Sequence, residues 1–298
     1  MTKRTVSAGI IGLVTYTILY YSGSPMVLRA AAAGLCGLCL YELACATDSI
    51  KNEALFTISI LAAAFFCFWQ LPQEAVLAGI CLAVSIPVFL LMMVFQPKVK
   101  LDRPFCFGAL AFLVCGQLRS MIDVRTLPGG LHLLLICITE CYATDVAAYL
   151  VGSKYGKRKL LPRVSPNKTL LGSLAGMGAA LGFCLLYGLG LWLFGGFRVR
   201  FGLLAVYALI ANVLAQFGDL SMSVVKRVTG IKDFGNLIPG HGGLLDRFDS
   251  LIFVLPFTLV FCQSTGGFLK ILETRYDAIP CRLSATNSNL CVFRAAGI

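Results

Sequence analysis

SVVKRVTGIKDFGNLIPGHGGLLDRFD, residues 223–249, stands between two apolar stretches long enough to cross a membrane, 201–220 and 250–268. Four aspartates, counting Asp219 just upstream, share this segment with Lys226, Arg227, Lys232, Arg247 and His241. Glycines recur among them, at 230, 235, 240, 242 and 243. Carboxylates supply the hard oxygen ligands that divalent cations prefer, and glycine lets backbone N–H groups approach an anion. The pattern reads as metal-dependent phosphate chemistry at the edge of a membrane.

Composition sets the fold class around that segment. Of 298 residues, 58% are hydrophobic and 13% charged, with a mean hydropathy of +0.84, which no soluble domain of this size carries on its surface. The expectation is an all-α, polytopic integral membrane protein with about nine transmembrane helices of roughly 20 residues each. Candidate spans run 6–21, 26–46, 54–70, 75–95, 104–118, 131–152, 172–195, 201–220 and 250–268. The first follows Lys3 and Arg4 but shows no A-x-A-like cleavage site, so it reads as a retained span. Three regions follow: N-terminal helices over 1–130, roughly five in number; a catalytic membrane region over 131–268 with two basic loops; and a polar tail over 269–298.

Lys and Arg bias orients the chain, because positively charged loops stay cytoplasmic. An inside N-terminus puts the basic loops 154–168 and 226–247 on the cytoplasmic side, against Arg119, Arg125, Arg198 and Arg200 in external loops. Two spans separate the two basic loops, so they can build one site. Topology thereby accounts for much of the net charge of +11, and the cations carry no aromatic-interleaved module for nucleic acid. Most of the 13 cysteines lie in apolar spans, where they act as small hydrophobes; Cys36 and Cys39 form a C-x-x-C without a second pair or a neighbouring His.

Asn212, Gln216, Asp219, Ser223 and Lys226 recur at intervals of four, three, four and three, one polar stripe on a helix. Asn212 and Gln216 suit interhelical hydrogen bonding. Asp219 is different, because a carboxylate at membrane depth costs about 3 kcal/mol and marks a site or pathway. Glu140 and Asp145 raise the same question in the sixth span: Glu140 suits helix packing, while Asp145 shares a face with Tyr149 and Gly152 and points to function. Asp246 and Asp249 would share one face of a ninth helix beginning near Leu244, with Arg247 turned away between them.

The order Ser223-x-x-Lys226-Arg227, Lys232-Asp233-x-Gly235, then Ile238-Pro239-x-His241-Gly242-Gly243-x-x-Asp246-Arg247-x-Asp249 resembles the signature of the phosphatidate cytidylyltransferase (CDP-diacylglycerol synthase) family. A second stretch is similar to that family as well: Asp145-x-x-Ala148-Tyr149-x-x-Gly152, Gly156-Lys157, and Ser165-Pro166-x-Lys168-Thr169-x-x-Gly172. One position departs, with Leu171 where the family usually has glutamate.

The resemblance implies transfer of the cytidylyl group of CTP to phosphatidate, using Mg²⁺ alone or with a second cation. It implies Asp219, Asp246, Asp249 and Asp145 as metal ligands. Lys168, Lys226, Arg227, Lys232 and Arg247 would neutralise phosphates, and Ser165, Ser223, Tyr149 and the Gly242-Gly243 backbone would contact substrate. His241 would contact a phosphate. The protein would lie in a bacterial-type inner membrane with its site facing the cytoplasm and membrane lipids around it, and a homodimer is reasonable. A CTP-dependent polyprenol-type lipid kinase and a membrane transporter are the alternatives. The closely matched signature speaks against the first, and the lack of an inverted repeat against the second.

Overall fold

The computed structural model describes residues 17–18, 20–69, 74–95, 103–238 and 242–271. Most of the first expected span, His241 and nearly all of the polar tail lie outside the described residues. The helices are α1 (Pro25–Ala46), α2 (Glu53–Phe68), α3 (Glu74–Phe95), α4 (Arg103–Thr126), α5 (Gly130–Tyr155), α6 (Leu170–Phe194), α7 (Phe201–Thr229), the single turn α8 (Leu245–Phe248) and α9 (Leu251–Thr265). The all-helical membrane architecture holds. Among the described residues six helices are long and apolar enough to cross a membrane, with α2 a shorter apolar helix, so the count of nine spans is not confirmed.

Local sequence sets the helix ends. Pro25 opens α1, where its missing N–H costs nothing, and the Asn52 side chain accepts from the Leu55 N–H at 3.1 Å to cap α2. At the other end of a long helix, Gly230 stops α7 at φ 78°, a left-handed conformation that favours glycine. Between α5 and α6 the chain forms an antiparallel hairpin, β1 (Lys159–Leu161) with β2 (Ser165–Thr169), and Thr169 caps α6 by accepting from the Gly172 N–H at 3.2 Å. A second pair, β3 (Phe197–Val199) with β4 (Leu269–Ile271), lies across the length of α6 from that hairpin.

Helix α9 runs through the middle of the bundle against α3, α4, α5 and α7, and every residue from Leu251 to Pro256 is buried. A helix apolar on all sides belongs in such a position. Helices α5 and α6 pack closely because glycine faces backbone: a Cβ on Gly172 would stand 2.6 Å from the Ala148 carbonyl oxygen, and one on Gly176 2.9 Å from that of Thr144. Gly172 and Gly176, one small-xxx-small pair, therefore serve packing within the chain, whereas Gly178 and Gly182, a second such pair, meet nothing within 4 Å.

Helix α4 differs from expectation. It continues eight residues beyond the expected 118, so Arg119 and Arg125 stand in a helix rather than in an external loop. Arg119 is buried, 3.4 Å from Glu74 and 3.6 Å from Asp123, with its guanidinium 5.3 Å from the centre of the Phe66 ring. Those partners make a buried cation tolerable.

Candidate active site

Both basic segments meet, as the charge pattern allows. Lys168 on β2 forms an ion pair with Asp219 on α7, and the Arg227 Nε donates to the Val164 carbonyl at 3.2 Å. Gly152 and Gly156 back the hairpin, each leaving room that the Thr169 hydroxyl occupies. Asp145 and Asp219 each lie ten residues before the end of their helices (155 − 145 and 229 − 219), about 15 Å along the axis, so α5 and α7 present them at matching depth.

The polar stripe on α7 divides as its chemistry suggests. Asn212 donates to the Thr144 hydroxyl on α5, the Gln216 Nε2 donates to Asn212 Oδ1 at 2.6 Å, and the Ser173 hydroxyl on α6 donates to Gln216. Three helices are thereby pinned just inside the carboxylates. Glu140 is fully buried one turn further in; its oxygens meet no full hydrogen-bond donor among the described residues, and the Cys184 thiol lies beside them.

Further along α7, Lys226 is 9% exposed and its Nζ donates to Asp246 Oδ1 at 2.7 Å, while the ammonium stands 5.5 Å from the centre of the Phe234 ring. The other Asp246 oxygen accepts from the N–H groups of Phe234 at 3.0 Å and Gly243 at 3.2 Å. Asp249 is buried and accepts from the Ser250 N–H at 2.7 Å. Burial, then the neighbouring carboxylates Asp219 and Asp145, push the Asp249 carboxyl well above its ordinary value, against the opposing pull of Lys226 and Lys168. Gly218 makes this approach of α7 to Asp249 feasible: a Cβ there would stand 2.5 Å from the Asp249 carbonyl oxygen.

One carboxylate was missed by sequence reasoning. Glu42, near the end of α1, is 2% exposed and accepts from the N–H groups of Leu244 at 2.8 Å and Leu245 at 2.7 Å. Its only sequence signal was a carboxylate in a largely apolar span. With Glu42 on Leu244 and Leu245 and Asp246 on Gly243, the backbone donors after Gly242 serve the protein's own carboxylates rather than an open phosphate cradle.

The remaining expected residues surround this centre. Ser223 is buried on α7; Ser165 is half-buried on the hairpin; Arg227, Lys232, Arg247 and Tyr149 are exposed, Tyr149 at 73%. Gly242 adopts φ 83° and its carbonyl accepts from the Ile238 N–H at 3.0 Å; His241 lies outside the described residues. Asp246 and Asp249 do not share the first turn of one helix: Asp246 sits in α8, Asp249 in the turn that joins α8 to α9. Leu171 is 45% exposed, and Lys168, which a glutamate there would neighbour, already has Asp219.

Among the described residues no three His, Cys, Asp or Glu side chains are close enough to hold one metal ion. The donor chemistry nonetheless suits Mg²⁺, which usually takes one or two carboxylates and completes its shell with water and substrate phosphate. Asp219 and Asp249 are the carboxylates that could serve it, Asp219 half-buried beside Lys168 and Asp249 buried among like charges.

Comparison with known proteins places the chain among relatives of named activity. A sequence profile of the cytidylyltransferase family matches residues 2–265. The chain is 33% identical over 263 residues to a phosphatidate cytidylyltransferase of Staphylococcus haemolyticus (strain JCSC1435), covering 86% of this chain and 96% of that protein. It is 29% identical over 268 residues to the one of Bacillus subtilis (strain 168), covering 86% and 95%, and 41% identical over 157 residues to that of Staphylococcus aureus (strain COL), covering 52% and 57%. With the profile spanning nearly all of the described structure and a relative 33% identical over 86% of the chain, this chain belongs to the cytidylyltransferase family.

Proposed function

We propose that the chain is a phosphatidate cytidylyltransferase, moving the cytidylyl group of CTP onto the phosphate of phosphatidate to give CDP-diacylglycerol and pyrophosphate. The observation that carries this reading is the gathering of Asp145, Asp219 and Asp249 with Lys168 and Lys226 at one end of a membrane bundle. A phosphate monoester has a second pKa near 6 and is largely dianionic at neutral pH, so the lipid phosphate is a ready nucleophile and needs no general base.

What the residues supply is position and positive charge. Lys226, fixed by Asp246 and the Phe234 ring, and Lys168, at the tip of its ion pair with Asp219, stand ready to neutralise phosphate oxygens. Asp219 and Asp249 would hold Mg²⁺, with Asp145 close by, and the ion would neutralise charge on the triphosphate. Asp246, with both oxygens engaged, serves to position Lys226. Arg227, Lys232 and Arg247 extend the positive surface toward the nucleotide, and Ser165, Ser223 and Tyr149 line its approach. This site faces the cytoplasm, where CTP is found, in a bacterial-type inner membrane. A homodimer would use the open faces of Gly178 and Gly182.

Membranes containing the protein, given phosphatidate and CTP labelled at the α-phosphate, should move label into lipid in the presence of Mg²⁺. Transfer of γ-label instead would identify a lipid kinase, and no transfer of either would refute the assignment.

A further inference from the structure

Glu42 comes from the N-terminal half of the chain, yet its carboxylate ends inside the loop that carries Asp246 and Asp249. It is 2% exposed, and each oxygen accepts one backbone N–H, from Leu244 at 2.8 Å and from Leu245 at 2.7 Å. The loop is shaped around it. A Cβ on Gly235 would stand 2.7 Å from Glu42 Oε1, and one on Gly243 2.8 Å from Oε2. Glycine at both positions leaves room for the carboxylate.

A buried carboxylate in a membrane helix is unfavourable unless it is bonded to donors. Two charge-assisted hydrogen bonds to backbone satisfy it, and they act on the residues immediately before Asp246. Asp246 in turn takes the N–H of Gly243 and fixes Lys226. Glu42 and Lys226 thus act on one short segment: Glu42 accepts from the N–H groups of 244 and 245, Asp246 accepts from the adjoining N–H of Gly243, and the other Asp246 oxygen holds the ammonium.

We propose that Glu42 is a positioning residue for the cytidylyl transfer, clamping the 242–249 loop so that Asp246 and Lys226 are set for the substrate phosphates. The proposal rests on the function assigned above, and it makes the N-terminal helices part of the site rather than only an anchor.

Glu42→Gln tests it. The amide keeps the volume but offers one acceptor and turns its NH₂ toward the other backbone N–H, so one bond is lost and one donor is left facing a donor. Loss of a hydrogen bond to a charged group corresponds to a fall in kcat of roughly 10- to 100-fold. The KM for CTP should change by less than about threefold, because uniform binding is not what the clamp provides. Hydrogen exchange at the amides of 243–246 should be faster in the purified variant, with the thermal transition of the bundle unchanged. Gly235→Ala is the second variant: it intrudes on Glu42 from the opposite side and should lower kcat without altering the carboxylate itself. Wild-type kcat and wild-type exchange in both variants would overturn the proposal. So would an equal loss of bundle stability and activity in both, which would make Glu42 merely structural. If the wild-type protein moves no label from CTP to lipid while Glu42→Gln still speeds exchange at 243–246, the assigned reaction fails and the clamp stands.

Discussion

Gly218→Ala should separate two carboxylates without removing either. An alanine Cβ at 218 would meet the Asp249 carbonyl oxygen at 2.5 Å, Phe253 Cδ2 at 2.9 Å and Ser250 Cα at 3.1 Å. Ordinary contact begins near 3.4 Å, so α7 and the start of α9 must move apart by about 0.9 Å (3.4 − 2.5) where Asp219 faces Asp249. The obstructing atoms are largely backbone of a buried helix start, so rotating one side chain out of the way cannot absorb the change. Overpacking of this kind costs about 1–3 kcal/mol. In a reaction that depends on placement, a shift near 1 Å lowers the rate about 10²-fold. The assay is transfer of α-labelled phosphate from CTP to phosphatidate in membranes with matched protein content, beside the melting temperature of the purified protein. Gly202→Ala on the same helix is the control, since a Cβ there meets nothing within 4 Å and should change neither quantity. Wild-type turnover in Gly218→Ala would refute the claim that the Asp219 to Asp249 spacing matters.

Four further outcomes are expected. Asp219→Asn removes the proposed Mg²⁺ ligand and the partner of Lys168, and should abolish Mg²⁺-dependent transfer while the protein still inserts; near-normal turnover would remove Asp219 from the site. Leu171→Glu should change Mg²⁺ dependence little, because Lys168 already has a partner and an exposed pair adds at most about 1 kcal/mol; a large gain in turnover would show that the natural chain lacks a needed carboxylate. Glu140→Gln replaces a buried, unsatisfied carboxylate with a neutral amide of like size and should raise the melting temperature at unchanged activity; a fall in either would reveal a role for its charge. A cysteine at Ser165 in a cysteine-depleted background should react with an impermeant thiol reagent from the cytoplasmic side alone, and labelling from outside would invert the proposed orientation.

Much of the site was legible because helical periodicity and the signature lie in continuous sequence. Asn212, Gln216, Asp219, Ser223 and Lys226 stand on one face of α7; Asn212 and Gln216 make the interhelical hydrogen bonds their chemistry suggested, and Asp219 pairs with Lys168. Less legible were features that depend on distant partners. Glu42 meets Leu244 across 202 positions, and no local pattern announces that contact. Arg119 looked like a loop residue because its partner Glu74 is 45 positions away, so its charge argued against a helix that tertiary pairing permits. The β1–β2 hairpin was hidden by Pro162, Pro166 and a run of cations, which read as loop. The break between α8 and α9 escaped notice because the residues around Asp249 are all compatible with one continuous helix.

The buried Arg119 also bears on how the chain enters a membrane. Taken alone, α4 would carry Arg119 and Asp123 into hydrocarbon, at about 2.5–3.5 kcal/mol for each charge near the middle of a span. Glu74, at the beginning of α3, supplies part of the compensation, so α4 gains most by being released into lipid together with its predecessor. The translocon would then handle α3 and α4 as one helical hairpin, with the Arg119 cluster assembled before either helix is fully exposed to acyl chains.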